Sequence, residues 1–83
     1  MPASVAQRVI DTIAKTQHIE ASTVTAESTF AELNIDSLDG LQIVFALEEE
    51  FSINIPDDAA RNFTSVSQAI EGIETLLAAK AQA

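Results

Sequence analysis

The sequence predicts an all-α fold, a small four-helix bundle of three longer helices plus one short third helix, with a long loop between the first and second helices. Three observations support it. Apolar residues recur at helical spacing in three segments, Val5-Val9-Ile13, Leu38 to Phe51, and Val66-Ile70-Ile73-Leu77. Two of these open on a Ser-x-x-Gln pattern, Ser4-Val5-Ala6-Gln7 and Ser65-Val66-Ser67-Gln68, the signature of a capping box. Only two glycines and two prolines interrupt 83 residues, 47% of them hydrophobic. The chain reads as one domain spanning residues 1–83, and at this size its stability is expected to be marginal.

The first helix should start at Ser4 and run to about Thr16, with Val5, Val9 and Ile13 on its inner face and Ala6 and Ile10 beside them. From Gln17 to Asn34 the chain holds Ser22, Thr23, Thr25, Ser28 and Thr29 with few periodic apolar positions, so it reads as a connection. Val24, Phe30, Leu33 and Ile35 are its expected anchors in the core. His18, the single histidine, falls here. It receives no role, because there is no cysteine or second histidine to partner it and no Gly-x-Ser-x-Gly around Ser37.

The central helix is capped by Asp36, whose carboxylate can accept from the first free backbone N–H groups, and Asp39 adds a second acid to the first turn. Ser37 therefore stands at the mouth of a helix. The helix should end near Phe51, where Ser52 and Asn54 compete for backbone hydrogen bonds and Pro56 forbids continuation. Its apolar arc is too wide for an ordinary surface helix and resolves into two stripes. Ile43, Val44, Leu47 and Phe51 form the core seam. Leu38, Leu41 and Phe45 form a second stripe that starts beside Ser37 and is flanked by Gln42, Glu48 and Glu49, which suggests a docking face.

Pro56 to Asn62 suits a single helical turn with Asp57 as its cap, after which Phe63 returns to the core. In the last helix Val66, Ile70, Ile73 and Leu77 make a packing stripe, Gly72 weakens it slightly relative to alanine, and Ala78 to Ala83 is expected to fray.

Thirteen acids against four basic residues give a net charge of −9, which argues against nucleic-acid or anionic-membrane binding and calls for partners with basic patches. With no cysteine in the chain, any thiol must arrive on a cofactor. The opening MPASVAQRVI lacks a basic region followed by an apolar one, and no segment is long enough to span a membrane, so a cytoplasmic monomer is expected. A calcium loop with Gly40 at its sixth position would need ligands at Ile35 and Ala46, which supply none. An enzyme is not expected either, since Ser37 has no obvious base and the chain is too small for a deep pocket.

Four segments in order carry a family resemblance: FAEL at Phe30 to Leu33, Asp36-Ser37-Leu38, ALEEEF at Ala46 to Phe51, and IPDD at Ile55 to Asp58. From about Val5 to Leu77 the chain resembles the acyl carrier proteins, the phosphopantetheine-binding carrier family. The resemblance implies that Ser37, within Asp36-Ser37-Leu38, is esterified with 4'-phosphopantetheine from coenzyme A, whose thiol holds acyl groups as thioesters for enzymes of fatty acid, lipid or polyketide biosynthesis. The implied partners are a phosphopantetheinyl transferase, an acyl-ACP ligase or acyltransferase, and a ketosynthase with a basic docking patch. They would meet Asp39, Leu41, Gln42, Phe45, Glu48, Glu49 and Ile55. Acyl chains would fold back against residues such as Ile43, Leu47, Ile55 and Ile70. Gly40 either leaves room for them or is simply tolerated at a helix start. Asn34 where a glycine is frequent, Gln42 where a glutamate is frequent and Arg61 in a usually acidic region depart from the family pattern, and make a specialised carrier as open a reading as a housekeeping one. The alternative is a helical interaction domain of the same fold that is not modified.

Overall fold

The computed structural model describes residues 4–82, with side chains from Ser4 to Lys80. Four α-helices follow one another, α1 (Val5–Gln17), α2 (Ser37–Phe51), α3 (Asp57–Arg61) and α4 (Val66–Gln82), with a 3-10 turn at Ala21–Thr23 in the long first connection. α1 is the helix against which both α2 and α4 pack. Val9 and Ile13 from α1, Ile43 and Leu47 from α2, and Val66 and Ile73 from α4 are fully buried at the centre, and among the described residues no polar or charged side chain is buried. The predicted bundle is therefore the fold observed.

Local chemistry explains where each helix starts and stops. Ser4 caps α1, its Oγ accepting from the Gln7 amide at 3.1 Å. The Gln7 side chain does not complete the expected box; it donates to Asp11 instead. Gln68 departs from its box in a similar way, since its amide donates to Ser65 Oγ while its side-chain oxygen accepts from the Thr64 amide. For α3 the cap is Pro56 and not Asp57, which lies in the first turn. Proline's fixed φ suits that place. His18 closes α1 in the left-handed region at φ 58°, and its N–H donates to the Lys15 carbonyl. α4 continues through Gln82, past Ala78 where fraying was expected, and Ala83 lies outside the described residues.

The long connection is tied down. Thr29 and Glu32 form a reciprocal cap, the Thr29 amide donating to Glu32 Oε1 at 3.0 Å and the Glu32 amide donating to Thr29 Oγ1 at 3.1 Å. The backbone then bridges to the start of α4, with the Phe30 amide donating to Thr64 O and the Val66 amide to Ser28 O, each at 3.0 Å. Asn34 sits at φ 59°. Asparagine is among the few residues other than glycine that occupy this region readily, so the substitution keeps the backbone conformation a glycine would allow.

α2 has no basic residue in its last turn, and its neighbours supply the missing charge. Arg8 of α1 donates to the Glu50 carbonyl at 2.9 Å, pairs with the Glu50 carboxylate at 3.0 Å, and lies 4.3 Å above the Phe51 ring. Lys80 of α4 donates to the Ser52 carbonyl at 2.6 Å. Both cations meet the negative end of the helix dipole. Gly72, expected only to weaken its helix, also has a packing role, because a Cβ there would fall 2.5 Å from the Phe63 ring.

Candidate functional site

The site is built on the first two turns of α2. Asp36 is extended at φ −90°, ψ −173°, and its Oδ1 accepts from the Asp39 amide at 2.9 Å. This cap lifts Ser37 into the first helical position, where the residue is exposed. The Ser37 and Leu38 amides have no acceptor among the described residues, so two N–H groups at the positive end of the helix remain beside the hydroxyl. No histidine or lysine lies near Ser37: His18 and Lys15 line a separate groove with Glu49 and Glu50. The carboxylates of Asp36 and Asp57 share the cavity with Ser37, and no histidine or lysine among the described residues lines it.

Beside Ser37 opens a cavity of about 640 Å³ between α2, α3 and the end of the long connection. Ser37, Gly40, Leu41 and Val44 line one side, at i, i+3, i+4 and i+7 on one helix face; Phe30, Ile35, Ala60 and Phe63 complete its apolar wall, and Asp36, Asp57, Arg61 and Thr64 contribute polar groups. Gly40 lines this space, and a Cβ added there would meet nothing within 4 Å.

The residues that the resemblance implies for an acyl path are in the core. Ile43 and Leu47 are fully buried, and Ile55 and Ile70 are 7% and 9% exposed; none of them lines the cavity. Ile43 and Leu47 belong to the buried core. Val44, expected in the core seam, also lines the cavity, and its spacing of seven from Ser37 is the signal for it; Phe30, an expected anchor, and Phe63, expected in the core, line it too.

The second apolar stripe is on the surface, with Leu38 72%, Phe45 56% and Leu41 49% exposed. Gln42 and Glu49 are exposed next to it and Asp39 is partly so. Two other expected docking residues are placed differently. Ile55 is in the core. Glu48 is half-buried and its carboxylate accepts from the Ile55 amide at 2.8 Å, closing the loop between α2 and α3. The spacing of α2 could not reveal a bond to a residue beyond the helix. Among the described residues no helix is long and apolar enough to cross a membrane.

Comparison with known proteins agrees with this geometry. Residues 7–73 match the model of a family described as the phosphopantetheine attachment site. The chain is 50% identical over 58 residues to a spinach (Spinacia oleracea) protein named acyl carrier protein 1, chloroplastic, covering 70% of this chain and 42% of that one. It is 40% identical over 76 residues to the mitochondrial acyl carrier protein of Dictyostelium discoideum, covering 92% and 63%. It is 41% identical over 71 residues to the acyl carrier protein of Porphyromonas gingivalis, covering 84% and 91%. The chain therefore spans well under two thirds of the spinach relative and just under two thirds of the Dictyostelium one, but nearly all of the bacterial one. Two of the three have organellar names, so the cytoplasmic expectation gains no support from them.

Proposed function

The chain belongs to the acyl carrier protein family, whose cofactor is 4'-phosphopantetheine, and on that premise we propose that Ser37 is its attachment point. One observation carries this reading: an exposed serine in the first turn of α2, with free backbone amides beside it, opens onto an apolar cavity. Those amides and the dipole favour an anion on the serine oxygen. In the proposed transfer, Ser37 Oγ forms a bond to the pantetheine-bearing phosphorus of coenzyme A. The pyrophosphate P–O bond breaks, the adenosine bisphosphate half leaves, and the serine proton passes to a base of the transferase. The bound group supplies a thiol that holds acyl chains as thioesters.

The chain's own residues do the rest. Asp36 holds the helix start, the cavity walls of Leu41, Val44, Phe30 and Phe63 receive apolar chain, and the stripe of Leu38, Leu41 and Phe45 with Asp39, Gln42 and Glu49 meets partners. Those partners would be a phosphopantetheinyl transferase, acyl-loading enzymes and a ketosynthase, each with a basic patch; the pathway would build fatty acids, other lipids or polyketides. Gln42 removes a charge from this face, which favours a specialised partner set because exposed charges act mainly on encounter and partner choice.

Coexpression with a broad-specificity phosphopantetheinyl transferase, then intact mass and peptide mapping, tests the attachment. A single addition that Ser37→Ala abolishes is expected. A chain that stays at its polypeptide mass with several transferases would instead be an unmodified interaction domain.

A further inference from the structure

We infer that Arg61 is a positioning residue for the phosphodiester that joins the arm to Ser37, an inference that rests on the attachment proposed above. Ser37 and Arg61 line the same cavity, one from the first turn of α2 and the other from the last position of α3. Arg61 is exposed and makes no hydrogen bond or ion pair among the described residues. Asp57, one turn earlier on α3 and also lining the cavity, does not pair with it.

The other cations are elsewhere. Arg8 and Lys80 are engaged at the opposite end of α2, which at fifteen residues is about 22 Å long, and Lys15 lines the groove near His18. Among the described residues Arg61 is thus the one cation that lines the cavity, where Asp36 and Asp57 place two carboxylates. A diester on Ser37 brings a third negative charge to this rim. Arg61 shares that rim, and a guanidinium offers paired N–H donors matched to phosphate oxygens. Arg61 therefore draws the diester toward α3, which starts the arm above the cavity and turns it away from the exposed Leu38. It takes no part in chemistry; it sets direction.

The experiment uses protein whose arm on Ser37 has been verified by mass, and compares wild type, Arg61→Gln and Arg61→Lys by phosphorus and nitrogen NMR at low and high salt. The Arg61 Nε–H resonance is expected to move between apo and holo wild type. The phosphorus resonance of Arg61→Gln is expected to differ from wild type, Arg61→Lys to lie between them, and salt to move wild type toward Arg61→Gln, since an exposed pair is screened. An Arg61 resonance that is the same in apo and holo protein, or phosphorus resonances that coincide in wild type and Arg61→Gln, overturns the inference while leaving the attachment intact. A chain that never gains the arm ends both. The apo-to-holo comparison uses wild type alone, so it decides the matter even if a variant misfolds.

Discussion

The carboxylate of Glu48 accepts a hydrogen bond from the backbone amide of Ile55 at 2.8 Å, across seven residues and out of α2 into the loop that follows it. A residue whose sequence position suggested a docking rim is thereby part of the fold. Glu48→Lys leaves a partly buried amide without its acceptor, and is expected to destabilise the domain by about 1–3 kcal/mol. Glu48→Gln keeps an acceptor oxygen and should lose less. Thermal midpoints of the two variants check this, with Glu49→Lys, which makes no such bond, as the control.

Phe45 and Phe51 lie on one helix and should respond in opposite ways. Phe51 is buried beneath Arg8, so Phe51→Ala is expected to cost about 3–5 kcal/mol, enough to unfold much of a marginal domain. Phe45 is 56% exposed, and Phe45→Ala should change the midpoint little while slowing transferase or ligase turnover. A similar loss of stability in both would remove Phe45 from the docking face.

The two glycines should also diverge. Gly72→Ala drives a methyl group into the Phe63 ring and is expected to destabilise by about 1–3 kcal/mol despite alanine's better helix propensity. Gly40→Ala meets open space and should stabilise α2 by up to about 1 kcal/mol. Denaturant midpoints give both signs. Since Gly40 lines the cavity, partition of a bound acyl chain between cavity and solvent is the second readout.

Glu32 links acidity to the long connection. Its carboxyl is held below the ordinary value of 4.5, first by the bond from the Thr29 amide and then by the bond from the Thr29 hydroxyl. A lowered folded-state value means that the stabilisation is present above the unfolded value and is lost as pH falls through the folded one. Glu32→Gln should therefore be less stable than wild type at neutral pH, with the gap closing on acidification below the ordinary carboxylate range. Midpoints across a pH series, with an NMR titration of the Glu32 carboxyl, measure it.

The helices, their order and the place of Ser37 were legible because periodicity and capping are local: Asp36, Ser4 and the Val66-Ile70-Ile73 stripe need only their own neighbours to be read. What escaped was long-range or crossed from one element to another. Glu48 meets Ile55 outside its helix, Gly72 meets Phe63, and Arg8 and Lys80 reach the end of α2 from helices far away in sequence. The cavity escaped for the same reason, since its walls come from separate segments, while Ile43 and Leu47 are buried in the core and do not line it. The reciprocal cap of Thr29 and Glu32 is different. Its spacing was visible, but it falls inside a stretch read as a connection.

The clamp of Arg8 and Lys80 on the last turn of α2 gives the molecule unequal stiffness. Three helices are pinned together at one pole, by a guanidinium over an aromatic ring and an ammonium on a carbonyl. At the other pole stand Ser37, the cavity and the five-residue α3, which no comparable bond fastens to α1 or α4 among the described residues. The groups that fasten the bundle and the groups that surround the serine therefore sit at opposite ends of α2, so a change in the cavity lining touches none of the bonds made by Arg8 or Lys80.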